Sequence, residues 1–201
     1  MPDRERLLRL CQSLACLDAC LCAEWEDRYY SFNQRWDANE QLGSMRDGSG
    51  DEWRAHFTPH GAILFGLGHE SEAYRHGEPH PEILSAVPDC FRPSVEEPAF
   101  DTENLSFCLW SEGSSPWKVG PIDVLGEDGS EELLGILDAN PATYRAFARE
   151  YFEHELGLDV IEQIYAHQPL SSRLLEALQV ERTLPDLRED LLEIGYPFND
   201  D

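Results

Sequence analysis

Apolar residues recur at helical spacing in the first twenty residues of the chain. Five leucines share one stripe, and they are Leu7, Leu10, Leu14, Leu17 and Leu21. This spacing predicts an amphipathic helix that buries the stripe, and Asp3 stands before it at the N-cap position. Cys16 and Cys20 fall one turn apart on the opposite side of the predicted helix. We expect these two cysteines either as small core residues or on a partly covered helix face.

The middle of the chain changes to alternation of apolar and polar residues, which is typical of half-buried strands. The predicted strands are 30–36, 42–46, 53–58, 63–67 and 105–110. Thr58-Pro59-His60-Gly61 has proline and glycine where a type I turn favours them, and 47–51 is a second predicted turn. Short turns between consecutive strands predict an antiparallel meander. A loop over 111–129 can add a short strand at 117–119.

From about residue 130 the pattern is helical. Asn140 before Pro141 is typical of a cap followed by a first-turn proline, and Gly157 is predicted to end that helix. The last predicted helix begins at a capping-box-like segment, 183–186, and ends at Gly195. Before this helical part, the prolines of 68–103 predict loops with short helical turns.

The order of elements indicates the fold class. Strands grouped before helices are typical of α+β proteins. We predict a single α+β domain over 1–201, with a sheet-rich part at about 25–125 and a helical part at about 130–196. In this domain an N-terminal helix and C-terminal helices pack against an antiparallel meander sheet of four to six strands.

The net charge of the chain restricts the classes of molecule that it can bind. The chain has 40 acidic and 15 basic residues, a formal net charge of −25, and 41% hydrophobic residues. With that many core-forming residues, the charge covers a globule that repels nucleic acid and anionic membranes and attracts a basic protein partner. We find no leader-like segment and no apolar run of about 18 residues. Six cysteines in such a chain are typical of reduced thiols, so we expect a cytoplasmic protein.

Histidines and carboxylates gather between residues 46 and 80, which makes this loop region the candidate for an enzyme. Five histidines lie there: His56, His60, His69, His76 and His80. The hypothetical catalytic residues are Arg46, Asp47, Asp51, His69 and Glu70. In this alternative Arg46 holds an anion, and His69 acts as base or ligand in a small metal-dependent or hydrolytic enzyme. Partial matches to a P-loop at 43–50 and a calcium loop at 47–58 lack the essential lysine and glutamate, so we expect no cofactor and no metal.

The last predicted helix offers the candidate surface for a partner. Four acidic residues lie opposite its apolar stripe, and they are Asp186, Glu189, Asp190 and Glu193. Such a run is either a solvated helix face or a docking face for a basic partner. Exposed tryptophan or tyrosine side chains beside the acidic surface would anchor that partner.

Three strings resemble those of a group of bacterial proteins of similar length that have no assigned activity. They are SMRDGSGD at 44–51, GHESE at 68–72 and EIGYP at 193–197. This resemblance covers most of the chain and implies no catalytic role. In size, acidity and layout the chain also resembles small cytoplasmic immunity proteins, which neutralise basic toxins. The leading hypothesis is therefore a non-enzymatic interaction protein, with the enzyme as the alternative.

Overall fold

The first helix begins where the sequence predicts it. A computed structural model describes residues 1–74, 81–121 and 127–199. Helix α1 spans Arg4–Leu21, and the Asp3 carboxylate accepts a hydrogen bond of 3.0 Å from the backbone N–H of Arg6. Asp3 is therefore the N-cap, because its side chain satisfies a donor that the helix itself leaves unpaired.

Six strands form one antiparallel sheet in which chain neighbours are also sheet neighbours. The strands are β1 (Tyr30–Asp37), β2 (Glu40–Arg46), β3 (Glu52–Thr58), β4 (Gly61–Leu67), β5 (Phe107–Glu112) and β6 (Lys118–Val119). The predicted meander is confirmed, and β6 is the short strand expected within 111–129. Gly61 closes the β3–β4 turn with a φ of +151°, and a Cβ atom there would lie 2.0 Å from the carbonyl oxygen of Ser111. The turn therefore requires glycine at this position.

The remaining α-helices come after β4 in the sequence, one of them before β5 and the others after β6. They are α2 (Arg92–Val95), α3 (Ser130–Leu133), α4 (Pro141–Tyr151), α5 (Leu158–Tyr165), α6 (Ser172–Leu178) and α7 (Leu184–Ile194). The Asn140 cap and the capping box of α7 are confirmed. The prediction that Gly157 ends α4 is wrong, because Glu153 already leaves the helical conformation with a φ of +53°. Gly157 instead precedes α5 as its N-cap residue.

One face of the sheet packs against α1 and the C-terminal helices. Helix α1 contacts β1 and β2, and it also contacts α5 and α7. The leucine stripe is buried as far as Leu17, and Cys16 and Cys20 are enclosed as well, with 0% and 1% exposure. Cys16 and Cys20 are therefore small core residues, which is the first of the two predicted alternatives, because the C-terminal helices cover the second side of α1.

The opposite face of the sheet is covered by the irregular segment 81–105. Its short helical turns include Pro81–Leu84 and Asp89–Phe91, close to where they are predicted. Ile83, Phe91 and Phe100 are fully buried in a core cluster that includes side chains of β4 and β5. In the described parts of the chain, no helix is both long and apolar enough to cross a membrane.

Candidate functional site

The turn between β2 and β3 is organised by Asp47. Its Oδ1 atom accepts hydrogen bonds from the backbone N–H groups of Ser49, Gly50 and Asp51 at 2.8, 3.0 and 2.9 Å. Partial burial acts to raise the pKa of Asp47, but its hydrogen bonds outweigh burial and lower the pKa below the ordinary value. Asp47 thus stabilises the turn, and its Oδ1 atom already accepts three hydrogen bonds.

Two of the five predicted catalytic residues, Asp51 and His69, are in contact. The Asp51 Oδ1 atom lies 2.7 Å from His69 Nδ1 and accepts a bond of 2.8 Å from the His69 backbone N–H. The Asp51 carboxylate raises the pKa of His69 above its ordinary value. Glu70 stands at the edge of this pair, with Oε1 3.9 Å from His69 Nε2 and a side chain that is 90% exposed.

This dyad borders an open depression of about 550 Å³. Five carboxylates line the depression, and they are Asp51, Glu70, Glu72, Glu127 and Glu132. The described residues include no group of three His, Cys, Asp or Glu side chains placed to hold a metal ion. The enclosed hydroxyl of Ser71 has no hydrogen-bond partner within the described chain, so it is not paired with His69 as a nucleophile would be. His76 and His80 lie outside the described residues.

Arg46 is bound to another part of the molecule. Its Cζ atom lies 3.7 Å from the centroid of the Trp25 ring, and its Nη2 atom donates to the Trp25 carbonyl oxygen at 2.8 Å. The guanidinium therefore fastens the turn Trp25–Asp27 to β2. This placement gives Arg46 a structural role at Trp25 in place of the predicted anion site beside His69.

A Ser–His–Glu arrangement that the sequence did not indicate lies beneath segment 81–105. His56 Nδ1 is 2.9 Å from Ser94 Oγ, and His56 Nε2 is 3.0 Å from Glu40 Oε2, although at an angle outside hydrogen-bond geometry. Burial lowers the pKa of His56. Ser94 is only 1% exposed and His56 only 3%, so a substrate carbonyl cannot reach the hydroxyl in this conformation. The arrangement fastens α2 to the sheet.

The acidic string of α7 divides into two kinds of carboxylate. Asp186 accepts from the Thr183 backbone N–H at 2.9 Å and completes the capping box. Asp190 lies between Arg28 and Arg182, with oxygen–nitrogen distances of 2.8 and 3.1 Å. The prediction that all four residues line an outer face is therefore wrong for Asp190, because the 22–28 segment and Arg182 fold over it. Glu189 and Glu193 are exposed.

Several arginines bind backbone carbonyl oxygens. Arg4 donates to the Thr58 carbonyl oxygen at 3.0 Å, Arg28 to that of Ala23 at 2.9 Å, and Arg182 to that of Asp186 at 2.9 Å. Arg28 is buried, with 5% exposure. Other arginines, among them Arg6, Arg35 and Arg173, are exposed, so the surface carries cations as well as the larger number of carboxylates.

Trp25 stands out on this acidic surface. Its side chain is 52% exposed, and its chain neighbours Glu24, Glu26 and Asp27 are exposed as well. Trp25 also lines a cleft that reaches Glu193 of α7 and Asn33 of β1. We call this cavity the Trp25 cleft. The expected combination of an exposed aromatic side chain with surrounding carboxylates is thus present, at a turn that the sequence did not single out.

Comparisons with known proteins add no relative. No family model, no curated protein and no solved structure matches this chain. The resemblance to bacterial proteins of similar length stays a prediction.

Proposed function

We propose that this chain is a non-enzymatic interaction protein that binds a basic protein partner, in the manner of an immunity protein. The single observation that carries the proposal is the exposed Trp25 ring within a surface of free carboxylates. Aromatic side chains supply much of the affinity of protein interfaces, whereas complementary charge mainly raises the association rate and the selectivity. In this proposal Trp25 supplies the affinity, and its acidic neighbours supply the fast association and the selectivity.

The distribution of arginines supports the same proposal. Arg28 and Arg182 are paired with Asp190 and donate to carbonyl oxygens, so part of their charge is compensated beside the Trp25 cleft. Glu189 and Glu193 are exposed on α7, and Glu193 lines the Trp25 cleft. A cytoplasmic location is part of this proposal, since immunity proteins act on toxins inside the cell that they protect.

The experiment is a titration of the labelled protein with a panel of small basic protein toxins, followed by NMR at low and high ionic strength. We expect shifts that concentrate at Trp25 and α7, and an affinity that falls at least about tenfold between about 0.01 M and 1 M salt. The double variant Glu189→Gln/Glu193→Gln should weaken binding. The matched control is Glu162→Gln/Glu176→Gln, which removes the same charge from exposed positions of α5 and α6. Binding that is indifferent to salt, or equal in the two double variants, contradicts the proposal.

A second candidate function is retained because of the Asp51–His69 contact. A carboxylate 2.7 Å from an imidazole nitrogen orients the ring and stabilises its protonated form, as a general base requires. The alternative is a small metal-dependent or hydrolytic enzyme that uses the loop region 46–80. Elemental analysis of the purified protein tests the metal-dependent form, and an activity screen of His69→Ala against the parent tests the hydrolytic form. Neither stoichiometric metal nor His69-dependent hydrolysis is expected if the interaction protein is correct.

A further inference from the structure

The Trp25 cleft is small and partly apolar. Its volume is about 140 Å³, and its walls include Trp25, Trp36, Asn33, Ser44 and Glu193. Pockets for cofactors and drug-sized ligands begin at about 300 Å³. The cleft therefore has room for one long side chain and not for a nucleotide or a cofactor.

The chemistry of the walls favours a flat cation. Arg46 already lies over the Trp25 ring at 3.7 Å, so the molecule itself shows that this indole binds a guanidinium. Trp25 lines the cleft, and Arg46 is not among its lining residues. Trp36, which stacks on Phe100 with a ring separation of 5.6 Å, gives the cleft a second aromatic wall.

The charges at the rim select against an anion. Arg28 also lines the cleft, but its donors are bound to Asp190 at 2.8 and 3.1 Å and to the Cys22 and Ala23 carbonyl oxygens. Asp190, which also lines the cleft, is shared with Arg182, so this ion-paired cluster offers an entering ion neither a free donor nor a free carboxylate. Glu193 is the exposed charged group of the wall, and it is negative.

We propose that the Trp25 cleft receives a single arginine side chain of the basic partner. The methylene stem packs against the apolar wall of the cleft, the guanidinium lies against Trp25, and Glu193 is its counter-ion. A guanidinium fits better than an ammonium because its planar face stacks on an aromatic ring and its N–H groups reach a carboxylate in the same plane. This inference rests on the proposed function and deepens it by naming the recognised group.

The experiment uses a peptide pair that differs only in charge. The probes are acetyl-Gly-Gly-Arg-Gly-Gly-amide and the same peptide with citrulline, which has nearly the shape of arginine but no charge. They are titrated into the full chain, and NMR follows the Trp25 indole N–H signal in proteins that retain Trp25 and the backbone amide signals of Asn33, Ser44 and Glu193 in every variant. We expect saturable shifts with the arginine peptide and at least tenfold weaker binding of the citrulline peptide. Trp25→Ala and Glu193→Gln should each weaken arginine binding severalfold, whereas Glu162→Gln should not.

The outcomes separate this inference from the proposed function. Equal binding of the two peptides, or arginine binding that survives Trp25→Ala, overturns the cleft as an arginine site. If salt-sensitive binding of the toxin panel persists in that case, the proposed function stands without this site. If the panel fails to bind the parent protein but the peptide pair behaves as expected, the arginine site stands and the toxin-type partner is wrong. Trp25 is largely exposed, so its substitution leaves the core intact and the comparison remains interpretable.

Discussion

The helix-covered face of the sheet encloses the carboxylate of Asp18 and the loop-covered face encloses the imidazole of His56, and burial shifts the pKa values of these two side chains in opposite directions. On the helix-covered face, Asp18 accepts bonds from the Tyr29 and Tyr30 backbone N–H groups at 3.0 and 2.9 Å and from the Tyr144 hydroxyl at 2.7 Å. On the loop-covered face, His56 contacts Ser94 and Glu40. Burial raises the pKa of Asp18 to about 7 and lowers that of His56.

The comparison teaches that burial favours the neutral form of either group, whatever its sign. The three donors act to lower the pKa of Asp18, but loss of solvent outweighs them. Glu40 likewise acts to raise the pKa of His56, and burial again dominates. Each group therefore joins the elements on its face of the sheet through its hydrogen bonds, and neither is exposed for chemistry.

The largest effect should come from removing Asp18. Asp18→Ala leaves two backbone N–H groups and the Tyr144 hydroxyl without their acceptor, so we expect a loss of about 3 kcal/mol or more in the free energy of unfolding. Urea unfolding at constant pH measures it. Tyr144→Phe is the matched partial variant, because it removes one of the three bonds, and it should lose about 1 kcal/mol. An Asp18→Ala midpoint equal to that of the parent would show that the network does not stabilise the helix-covered face.

Asp18 also predicts the sign of a pH dependence. Its pKa rises from 3.8 to about 7 on folding, so the folded state binds more protons than the unfolded state between these values. The contribution of Asp18 to stability is complete below pH 3.8 and is lost as the pH rises through 7. Asp18→Asn should flatten this slope in unfolding midpoints recorded across the range. An unchanged slope would assign the dependence to other groups.

A smaller effect is expected on the loop-covered face. His56→Ala opens a void beside Phe100, whose ring centroid is 5.1 Å from that of His56, and it leaves Ser94 unpaired. We expect a loss of about 2 kcal/mol by urea unfolding. His60→Ala, at the exposed tip of the same hairpin, is the control and should stay within about 0.5 kcal/mol of the parent. Equal losses in the two variants would mean that segment 81–105 is held without His56.

The smallest expected effect is the loss of stability that protonation of His56 causes at acidic pH. The pKa of His56 in the folded state lies below 6.5, so its contribution to stability is present above pH 6.5 and is lost as the pH falls below that value. His56→Gln keeps polar atoms at the position but cannot titrate. It should reduce the loss of stability below pH 6.5 and leave the pH dependence that Asp18 causes unchanged. If His56→Gln and the parent lose stability in parallel below pH 6.5, the comparison between the faces fails for His56.

Local patterns predicted the elements of the fold well. Asp3, Asn140 and the 183–186 segment marked helix starts because capping depends on side chains only two or three residues from the bonds that they make. Alternation located the strands, but the expectation that all of them are half-buried is wrong for β4 and β5, because segment 81–105 covers their second face. The prediction that Gly157 ends α4 was wrong because a glycine can precede a helix as well as follow one. The left-handed conformation of Glu153, which follows the end of α4, is not encoded by its residue type.

The candidate sites were less predictable. Asp51 and His69 were named together from sequence, and they do meet at 2.7 Å. His56, Ser94 and Glu40 were not, since 38 residues separate His56 from Ser94 and only the packing of segment 81–105 joins them. Asp190 was expected to face solvent, and the signal that could have corrected this is the pair of arginines, Arg28 and Arg182, in a chain with so few cations.

The sequence by itself determined the α+β order, the caps, the meander and the strongly negative charge, because these depend on composition and on neighbours a few residues apart. Tertiary structure decided which carboxylates are free and which are bound, and it brought Trp25 beside Glu193 across more than 160 residues of chain. The physical reason is that ionisation and exposure depend on solvent access, and solvent access is set by segments that are distant in sequence and adjacent only after folding.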